Sequence, residues 1–208
     1  MRFHPTLILH LCTAVVVVLK ITNYKLFFVY CIVDVETTGG VNGPSRLTEI
    51  AIFRHDGQQV IDSFHSLLNP GCSIPPFIRH LTGISNAMVA DAPVFADVAQ
   101  HVLDITQDAV FVAHNVGFDF NFIKKELNWL GYDYFRRTLC TVRTSRKLIP
   151  GHPSYSLGKL CRSLDIPLHD RHRAQGDAAA TVRLFEMLLR HDNQGLIPRV
   201  EPASPLPG

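Results

Sequence analysis

Cysteine is scarce in this sequence and follows no pairing pattern. The 208 residues contain five cysteines, an odd number, and no Cys-x-x-Cys pair. Disulfide-stabilised secreted domains and structural zinc sites both depend on closely spaced cysteines. The pattern therefore argues against a disulfide framework and against zinc, and it favours a reducing compartment, which we expect to be the cytoplasm. The five positions are Cys12, Cys31, Cys72, Cys140 and Cys161.

A large excess of either charge is also absent. The chain has 20 Lys and Arg against 18 Asp and Glu, which leaves a net charge of +2 at pH 7. This balance excludes a polycation that coats nucleic acid indiscriminately, so contacts with phosphates must come from a local basic region. One candidate runs from residue 136 to residue 173, although an ordinary solvated surface explains such a run equally well. Its basic residues are Arg136, Arg137, Arg143, Arg146, Lys147, Lys159, Arg162, Arg171 and Arg173, against only Asp165 and Asp170.

Long apolar runs are limited to the N-terminal region. The run from Thr6 to Leu19 is interrupted by His10. It is shorter than the roughly 20 apolar residues of a membrane-spanning helix. No small-x-small cleavage site follows it before Lys20. We therefore expect no membrane association and treat residues 1–25 as an unassigned hydrophobic extension. Residues 26–191 form the predicted domain, and the Pro-rich residues 192–208 are expected to be a disordered tail or linker.

The order of apolar patterns predicts an α/β domain. Strands are predicted at about residues 26–35, 48–54, 60–68, 109–114 and 137–141, because apolar residues there alternate or run continuously. The first three strands should form an antiparallel meander. Helices are predicted near residues 77–81, after an Asp91 N-cap, over 117–130, up to Lys147, after a Ser154 N-cap and over 174–190. The predicted fold is a mixed central sheet flanked by helices.

Two carboxylates interrupt the first predicted strand, in the stretch "CIVDVETTGG". Successive strand side chains point to opposite faces, so Asp34 and Glu36 must emerge on the same face. Like charges held close together at the end of a core strand repel, and desolvation raises the cost. A shared cation or proton would remove that cost. The alternative is that the strand has ended and both acids are solvated turn residues.

Two further acids and one histidine lie in settings that suit the same site. Asp119 begins a helix directly after a buried strand, although the helix dipole alone could stabilise it there. Asp177 shares the core-facing stripe of the last helix with Thr181 and Leu184. His172 lies in a polar stretch just upstream, where it is either a mobile general base or an ordinary surface residue.

These four carboxylates could converge on folding. Hard oxygen ligands of this kind favour Mg²⁺ or Mn²⁺ over zinc. Two such cations about 3.5 to 4 Å apart form the usual clamp for in-line attack on a phosphodiester. The residues thus predict a phosphodiester-cleaving site with two divalent cations.

The segments "VDVETTGG", "HNVGFDFNF" and "HRAQGDAA" together resemble the three motifs of the DEDDh 3′–5′ exonucleases. That group includes the DnaQ-like epsilon (proofreading) subunit of DNA polymerase III and RNase T. The resemblance covers residues 28–191 and implies a ribonuclease H-like fold. It implies that two Mg²⁺ or Mn²⁺ ions are bound by Asp34, Glu36, Asp119 and Asp177, and that His172 is the general base.

The same resemblance marks residues that would contact the substrate. Leu81, in "LTGIS", would wedge against the terminal base, and Thr37 and Gly39 would border the terminal nucleotide. His114 and Asn115 match the second motif, with a structural role favoured for His114. The aromatic side chains of Phe77, Phe118 and Phe120 could stack on the end base, although core packing is the preferred role of Phe120.

The expected activity is removal of nucleoside 5′-monophosphates from single-stranded or mispaired DNA 3′ ends, in proofreading or repair. A DNA polymerase subunit is one candidate partner. RNA trimming by the same chemistry is an alternative, because the motifs recognise metal and phosphate rather than sugar. A second alternative is a non-catalytic module that binds nucleic-acid ends. The presence of all four acids and of His172 argues against that module.

Overall fold

The computed structural model describes residues 29–198, and all of these belong to one compact unit. The predicted N-terminal extension, residues 26–28 of the first predicted strand and residues 199–208 of the tail lie outside the described residues. The elements in chain order are β1 (Val29–Thr37), β2 (Leu47–His55), β3 (Val60–Leu67), α1 (Pro76–Thr82), α2 (Asn86–Val89), α3 (Phe95–Ile105), β4 (Ala109–Ala113), α4 (Gly117–Trp129), β5 (Thr138–Cys140), α5 (Thr141–Leu148), α6 (Leu157–Ser163) and α7 (Ala174–His191).

The five strands form one sheet in the order β3-β2-β1-β4-β5. The predicted antiparallel meander is confirmed, because β1 pairs with β2 and β2 with β3 in antiparallel register. The strands β4 and β5 extend the sheet beyond β1 in parallel. The predicted mixed sheet is therefore confirmed, and β1 lies at its centre with helices on both faces.

Alternation along β1 divides the core into two layers. Cys31 and Val33 pack in one hydrophobic cluster with buried residues of α3 and α4. Tyr30 and Ile32 pack in a second cluster with Leu160 of α6 and residues of α7. Because side chains on a strand alternate, Asp34 and Glu36 follow Tyr30 and Ile32 on the α7 face of the sheet.

The pairing of β1 with β2 contains an irregularity next to Glu36. Glu36 lies opposite Glu49, but the next residue, Thr37, lies opposite Leu47. Thr48 of β2 is therefore skipped in the pairing with β1. Bulges of this kind re-aim side chains, and they occur often beside active sites. Here the bulge falls at the end of β1 where the two carboxylates emerge.

Two predicted helix N-caps are wrong. The helix α3 begins at Phe95, directly after Val94. The Val94 N–H donates to Asp97 Oδ2 in the first turn at 3.0 Å. Asp91 lies too far upstream to cap this helix. The helix α6 begins after Ser156. The Oγ of Ser154 instead accepts from the Ser156 N–H at 3.3 Å, which forms a turn ahead of the helix.

The first residues of the predicted tail pack on the domain. Ile197 is buried at 1% exposure, and the hydroxyl of Tyr30 donates to the carbonyl oxygen of Pro198. The packed domain therefore extends past His191 to Pro198. Among residues 29–198, no helix has the length and apolar character needed to cross a membrane.

Candidate active site

Three of the predicted site carboxylates meet at one end of the sheet. Asp34 and Glu36 leave β1 on the α7 face, and Asp177 lies in the first turn of α7. One carboxylate oxygen from each of the three lies within 4.8 Å of the others. All three side chains are half-buried. The shared face predicted for Asp34 and Glu36 is thus confirmed, and α7 brings Asp177 to it.

Burial and mutual repulsion disturb the ionisation of this group. Burial raises the pKa of Asp34 well above its ordinary value, and the charges of Asp119, Asp177, Glu36 and Glu49 raise it further. Burial, with the charge of Asp177 next in size, raises the pKa of Glu36 to about 8. Burial also raises the pKa of Asp177. Without a cation, these carboxyl groups hold protons that isolated carboxyl groups would have lost.

One oxygen of the group has no partner at all. Oδ1 of Asp177 is buried and makes no hydrogen bond. A buried, unpartnered carboxylate oxygen is costly, and divalent cations bound by oxygen ligands supply the partner that it lacks. The donor set consists of carboxylate oxygens alone, which suits Mg²⁺ or Mn²⁺. The residues present therefore fit a divalent cation.

Asp119 lies beside this group and not within it. It occupies the first turn of α4 with 4% exposure, and its Oδ1 accepts from the Val35 N–H at 3.1 Å. Burial raises the pKa of Asp119 to about 8. Asp119 therefore reaches β1 from the α4 side, next to Asp34, whereas Glu36 and Asp177 lie on the α7 side.

His172 is placed at the acids by its backbone. Its φ of 62° is in the left-handed region, and its N–H donates to Asp177 Oδ2 at 3.2 Å. The imidazole is close enough that its charge lowers the pKa of Asp177, against the larger effect of burial. The structure thus brings His172 to Asp177, and its role as general base stays a prediction.

The residues predicted to border the substrate lie in different settings. Thr37 is the last residue of β1 and Gly39 lies in the turn that follows, and Thr37 Oγ1 donates to the Gly39 carbonyl oxygen at 2.7 Å. A Cβ at Gly39 would lie 2.7 Å from Ser45 Oγ, so a larger residue there would require the Ser45 side chain to move. Leu81 is 50% exposed and Phe77 67% exposed, and both lie on α1. These two side chains are available for a ligand.

The second-motif residues divide between structural and exposed positions. His114 Nδ1 lies 2.9 Å from Thr141 Oγ1, and His114 Nε2 lies 2.9 Å from the Tyr155 carbonyl oxygen. Burial lowers the pKa of His114, so this ring is a neutral bridge from the end of β4 to α5 and the loop before α6. Asn115 is exposed, with a φ of 80°. Phe118 is half-buried and packs on Phe122 with ring centroids 5.0 Å apart.

The basic run from 136 to 173 does not act as one surface. Arg136 donates to the carbonyl oxygens of Thr106 and Leu103 at 2.7 and 3.2 Å, and Arg173 pairs with Glu49. Among the members of the run that stay exposed, Arg143 and Arg146 line one cavity. The run therefore contributes both structural contacts and a local basic site.

That cavity has a volume of about 560 Å³ and lies beside the start of α4. Its walls include Asn115 and Gly117, two residues before Asp119, together with the two arginines. Cys140 also lines it, and its thiolate form would add a small increase to the pKa of Asp119, after the larger effect of burial. The cavity thus lies at the start of α4, two residues before Asp119, with Arg143 and Arg146 of α5 in its wall.

Glu49 is a residue of the site that sequence patterns alone do not identify. It lies opposite Glu36 in the sheet, it is buried at 0% exposure, and it accepts hydrogen bonds from Arg173 at the start of α7. The signal was a glutamate inside the apolar strand "LTEIAIF". Its partner lies 124 residues away in sequence, so local patterns could not reveal the contact.

Comparison with known proteins gives consistent results. The family model RNase_T, described as "Exonuclease", matches residues 31–185. The 3'-5' exonuclease DinG of Staphylococcus epidermidis is 38% identical over 157 residues, which cover 75% of this chain and 17% of that protein. The chain therefore spans less than a fifth of the length of such curated relatives.

Solved structures share the fold. Exonuclease X, in complex with 5′ overhanging duplex DNA, is 28% identical with a TM-score of 0.64, and the match covers 78% of this chain and 92% of that one. The nuclease domain of 3'hExo, a DEDDh family member bound to rAMP, has a TM-score of 0.69 at 16% identity, over 83% and 96% of the two chains. The expected ribonuclease H-like fold is confirmed.

Proposed function

Because this chain belongs to the RNase_T family of DEDDh exonucleases, we propose that it is a metal-dependent 3′–5′ exonuclease that removes nucleoside 5′-monophosphates from DNA 3′ ends. The observation that carries the proposal is the meeting of Asp34, Glu36 and Asp177 within 4.8 Å. Three acids with raised pKa values and one orphaned oxygen form a costly arrangement unless cations bind there. Residues 26–191, with the packed segment to Pro198, are the proposed exonuclease domain.

The cations that fit this site are two Mg²⁺ or Mn²⁺ ions. We propose that Asp34, Glu36, Asp177 and Asp119 hold them, with Asp119 acting from the α4 side. Bound cations would supply positive charge at the scissile phosphate and make an attacking water more acidic. The Asp119 Oδ1 is already engaged by the Val35 N–H, so this residue would offer its other oxygen.

His172 is the proposed general base. An imidazole has a reference pKa near 6.5, which suits the acceptance of a proton from water at neutral pH. The hydrogen bond from its own N–H to Asp177 keeps the residue at the acids. The half-buried position of His172 leaves part of the side chain accessible to substrate.

The nucleic acid would lie between two surfaces that border the acids. On one side, Thr37, Gly39 and the exposed side chain of Leu81 would contact the terminal nucleotide. On the other side, the cavity that Asn115, Arg143 and Arg146 line would take the phosphates that precede it. Phe118 would contact the end base. Such contacts are independent of sequence and weaken with salt.

DNA is the proposed substrate, since the relative Exonuclease X was solved with DNA. DNA proofreading or repair, with a DNA polymerase subunit as one candidate partner, is the proposed setting. The discriminating experiment incubates the purified chain with 5′-labelled single-stranded DNA, mispaired-primer DNA and RNA of the same sequence, in Mg²⁺, Mn²⁺ or EDTA. We expect a ladder of shortened DNA products that requires the cation.

The same experiment separates the alternatives. Faster shortening of RNA than of DNA would identify an RNA-trimming enzyme. Tight binding of the 3′ end without shortening in either cation would identify a non-catalytic module. The variant Asp34→Asn should lose the DNA ladder, while Asp133→Asn, which changes an exposed acid in the loop before β5, should retain it.

A further inference from the structure

A buried carboxylate outside the predicted ligand set lies next to the site. Glu49 is the third residue of β2, at 0% exposure, with Thr48 and Ile50 as fully buried neighbours. Its Cα pairs with that of Glu36 across the sheet. A buried charge in such a position is strongly unfavourable unless it is paired and hydrogen-bonded. Some contact must therefore compensate for it.

Four donors provide that compensation. Arg173 Nη2 and His65 Nε2 lie 2.9 and 2.8 Å from Oε1 of Glu49. Arg173 Nε and the Ala174 N–H lie 3.0 and 2.9 Å from Oε2. Burial would raise the pKa of Glu49, but hydrogen bonds from Arg173, His65 and Ala174 outweigh it and lower the pKa. The bidentate guanidinium contact is the strongest geometry for such a pair.

This bonding pattern distinguishes Glu49 from the proposed metal ligands. Both of its oxygens are engaged by donors of the protein, whereas Asp177 keeps one buried oxygen without a partner. Burial and neighbouring charges raise the pKa values of Asp34 and Glu36, whereas the pKa of Glu49 is lowered. The carboxylate of Glu49 therefore makes structural hydrogen bonds and is not a cation ligand.

The groups that Glu49 holds form the start of α7. Arg173 is the residue before the helix, and Ala174 is its first residue. The Arg173 carbonyl accepts the Asp177 N–H at 3.0 Å. The residue before Arg173 is His172, whose N–H donates to Asp177 Oδ2. A shift of Arg173 would thus move both the proposed ligand and the proposed base.

Close packing leaves this helix start little freedom of its own. A Cβ at Gly176 would lie 2.2 Å from the His169 carbonyl oxygen, so the preceding loop runs directly against the first turn. Ala174 and Ala178 pack on Ala51 of β2, two residues after Glu49. Short side chains allow the helix to approach the sheet closely, and the Glu49 contact then sets its position along the strand.

We propose that Glu49 is a positioning residue that, through Arg173 and Ala174, aims Asp177 and His172 at Asp34 and Glu36. This inference rests on the proposed metal-dependent exonuclease function. Residues that orient the ligands of a metal site commonly change metal affinity or activity by about 10- to 100-fold when replaced. The same range is expected for Glu49.

The test measures three quantities on Glu49→Gln and Arg173→Met. These are the Mn²⁺ binding isotherm, the kcat and KM for a DNA oligonucleotide, and the melting temperature. We expect Mn²⁺ affinity and kcat to fall by about 10-fold or more, with KM for DNA within about 3-fold, because the phosphate contacts of Arg143 and Arg146 are untouched. The double variant should be no worse than either single variant, since both remove the same contact.

A second buried pair gives a matched control. Arg46 Nε and Nη2 donate to the two oxygens of Glu126 at 2.8 and 2.9 Å, and Glu126 is 2% exposed. Arg46 directly precedes β2 and Glu126 lies on α4, so this pair holds α4 rather than α7. Glu126→Gln should lower the melting temperature as Glu49→Gln does, yet leave Mn²⁺ affinity and kcat within about 2-fold of wild type.

The outcomes separate the inference from its premise. Wild-type Mn²⁺ affinity in folded Glu49→Gln would overturn the positioning role. A loss in Glu49→Gln that matches Asp177→Asn, with no loss in Arg173→Met, would overturn it in favour of direct ligation by Glu49. If Glu49→Gln does not fold, Arg173→Lys keeps the charge without the bidentate contact and must show the same loss of Mn²⁺ affinity. Mn²⁺ binding without DNA cleavage by the wild type would contradict the proposed function, while the isotherms would still decide this inference.

Discussion

The backbone N–H of Val35 donates to Oδ1 of Asp119 at 3.1 Å. This bond joins the strand that carries Asp34 and Glu36 to the helix that carries the fourth acid, 84 residues later in the chain. The four acids therefore meet at β1. Asp34 and Glu36 belong to this strand, Asp119 reaches it from α4, and Asp177 reaches it from α7.

The first prediction concerns Asp177. Asp177→Asn should remove most of the exonuclease activity, because the variant loses the negative charge of the carboxylate. In wild type, the buried Oδ1 of this carboxylate has no hydrogen-bond partner and is available to a cation. The metal-free protein should not be destabilised, since the change removes repulsion with Asp34 and Glu36. Circular dichroism and thermal melts check the fold, and Asp133→Asn is the control. Wild-type turnover in Asp177→Asn would refute the ligand assignment.

The second prediction concerns His172. His172→Asn suits the left-handed backbone at this position, because asparagine tolerates a φ of 62° better than alanine does. Loss of a general base should slow the reaction by on the order of 10²-fold or more. The rate–pH profile should also lose its acidic limb. A variant that keeps the same acidic limb as the wild type would show that another group accepts the proton.

The third prediction concerns the stability of the metal-free protein. The pKa values of Glu36 and Asp119 are raised to about 8, so the folded state holds protons that the unfolded state has lost above about pH 4. Stability from these groups is present below about pH 4 and is lost as the pH rises through about 8. The melting temperature in EDTA should therefore fall from pH 5 to pH 8.

Two additions make that measurement specific. Mg²⁺ or Mn²⁺ should raise the melting temperature more at pH 8 than at pH 5, because deprotonated carboxylates bind the cation. Glu36→Gln should flatten the pH dependence in EDTA. The lowered pKa of His114 acts in the opposite direction, but it does so equally in wild type and in Glu36→Gln. An unchanged pH dependence in Glu36→Gln would therefore contradict the raised pKa of Glu36.

The fourth prediction concerns the basic cavity. Arg143→Ala should raise KM for DNA oligonucleotides and reduce the slope of log affinity against log salt by about 1, as expected for a lost phosphate contact. Hydrolysis of the p-nitrophenyl ester of thymidine 5′-monophosphate should be unchanged, because that substrate has no preceding phosphate. Arg190→Ala, at the exposed end of α7, is the control. An equal loss on both substrates would place Arg143 at the reaction itself.

Local patterns were sufficient for the sheet and for the first pair of acids. Alternation in β1 predicts that Asp34 and Glu36 share a face, and the structure shows them together with Asp177. The helical spacing of Asp177 with Thr181 and Leu184 likewise predicts that Asp177 faces the sheet. These features depend on the period of one element at a time, which the sequence displays directly.

The errors and omissions come from contacts between distant segments. Glu49 lies within a predicted strand, and only the fold shows that Arg173 and His65 hydrogen-bond to its carboxylate. Arg136 and Arg173 were grouped with Arg143 because they are close in sequence, but packing turns the first two inward. These outcomes depend on tertiary packing, which charge counts do not report.

The helix N-caps failed for a local reason. Asp91 and Ser154 are good capping residue types, and each lies a few residues ahead of an apolar stripe. Competing hydrogen bonds decided the boundary: Asp97 accepts from Val94 inside α3, and Ser154 accepts from Ser156 in a turn. Neighbouring candidates of similar strength cannot be ranked from residue type alone.

The location of bound metal tests the central claim most directly. Crystals soaked in Mn²⁺ should show two anomalous-scattering peaks about 3.5 to 4 Å apart, among the carboxylate oxygens of Asp34, Glu36, Asp177 and Asp119. The orphaned Oδ1 of Asp177 should then have a cation as its partner. Absence of any peak between these carboxylates, together with DNA cleavage that persists in excess EDTA, would contradict the claim.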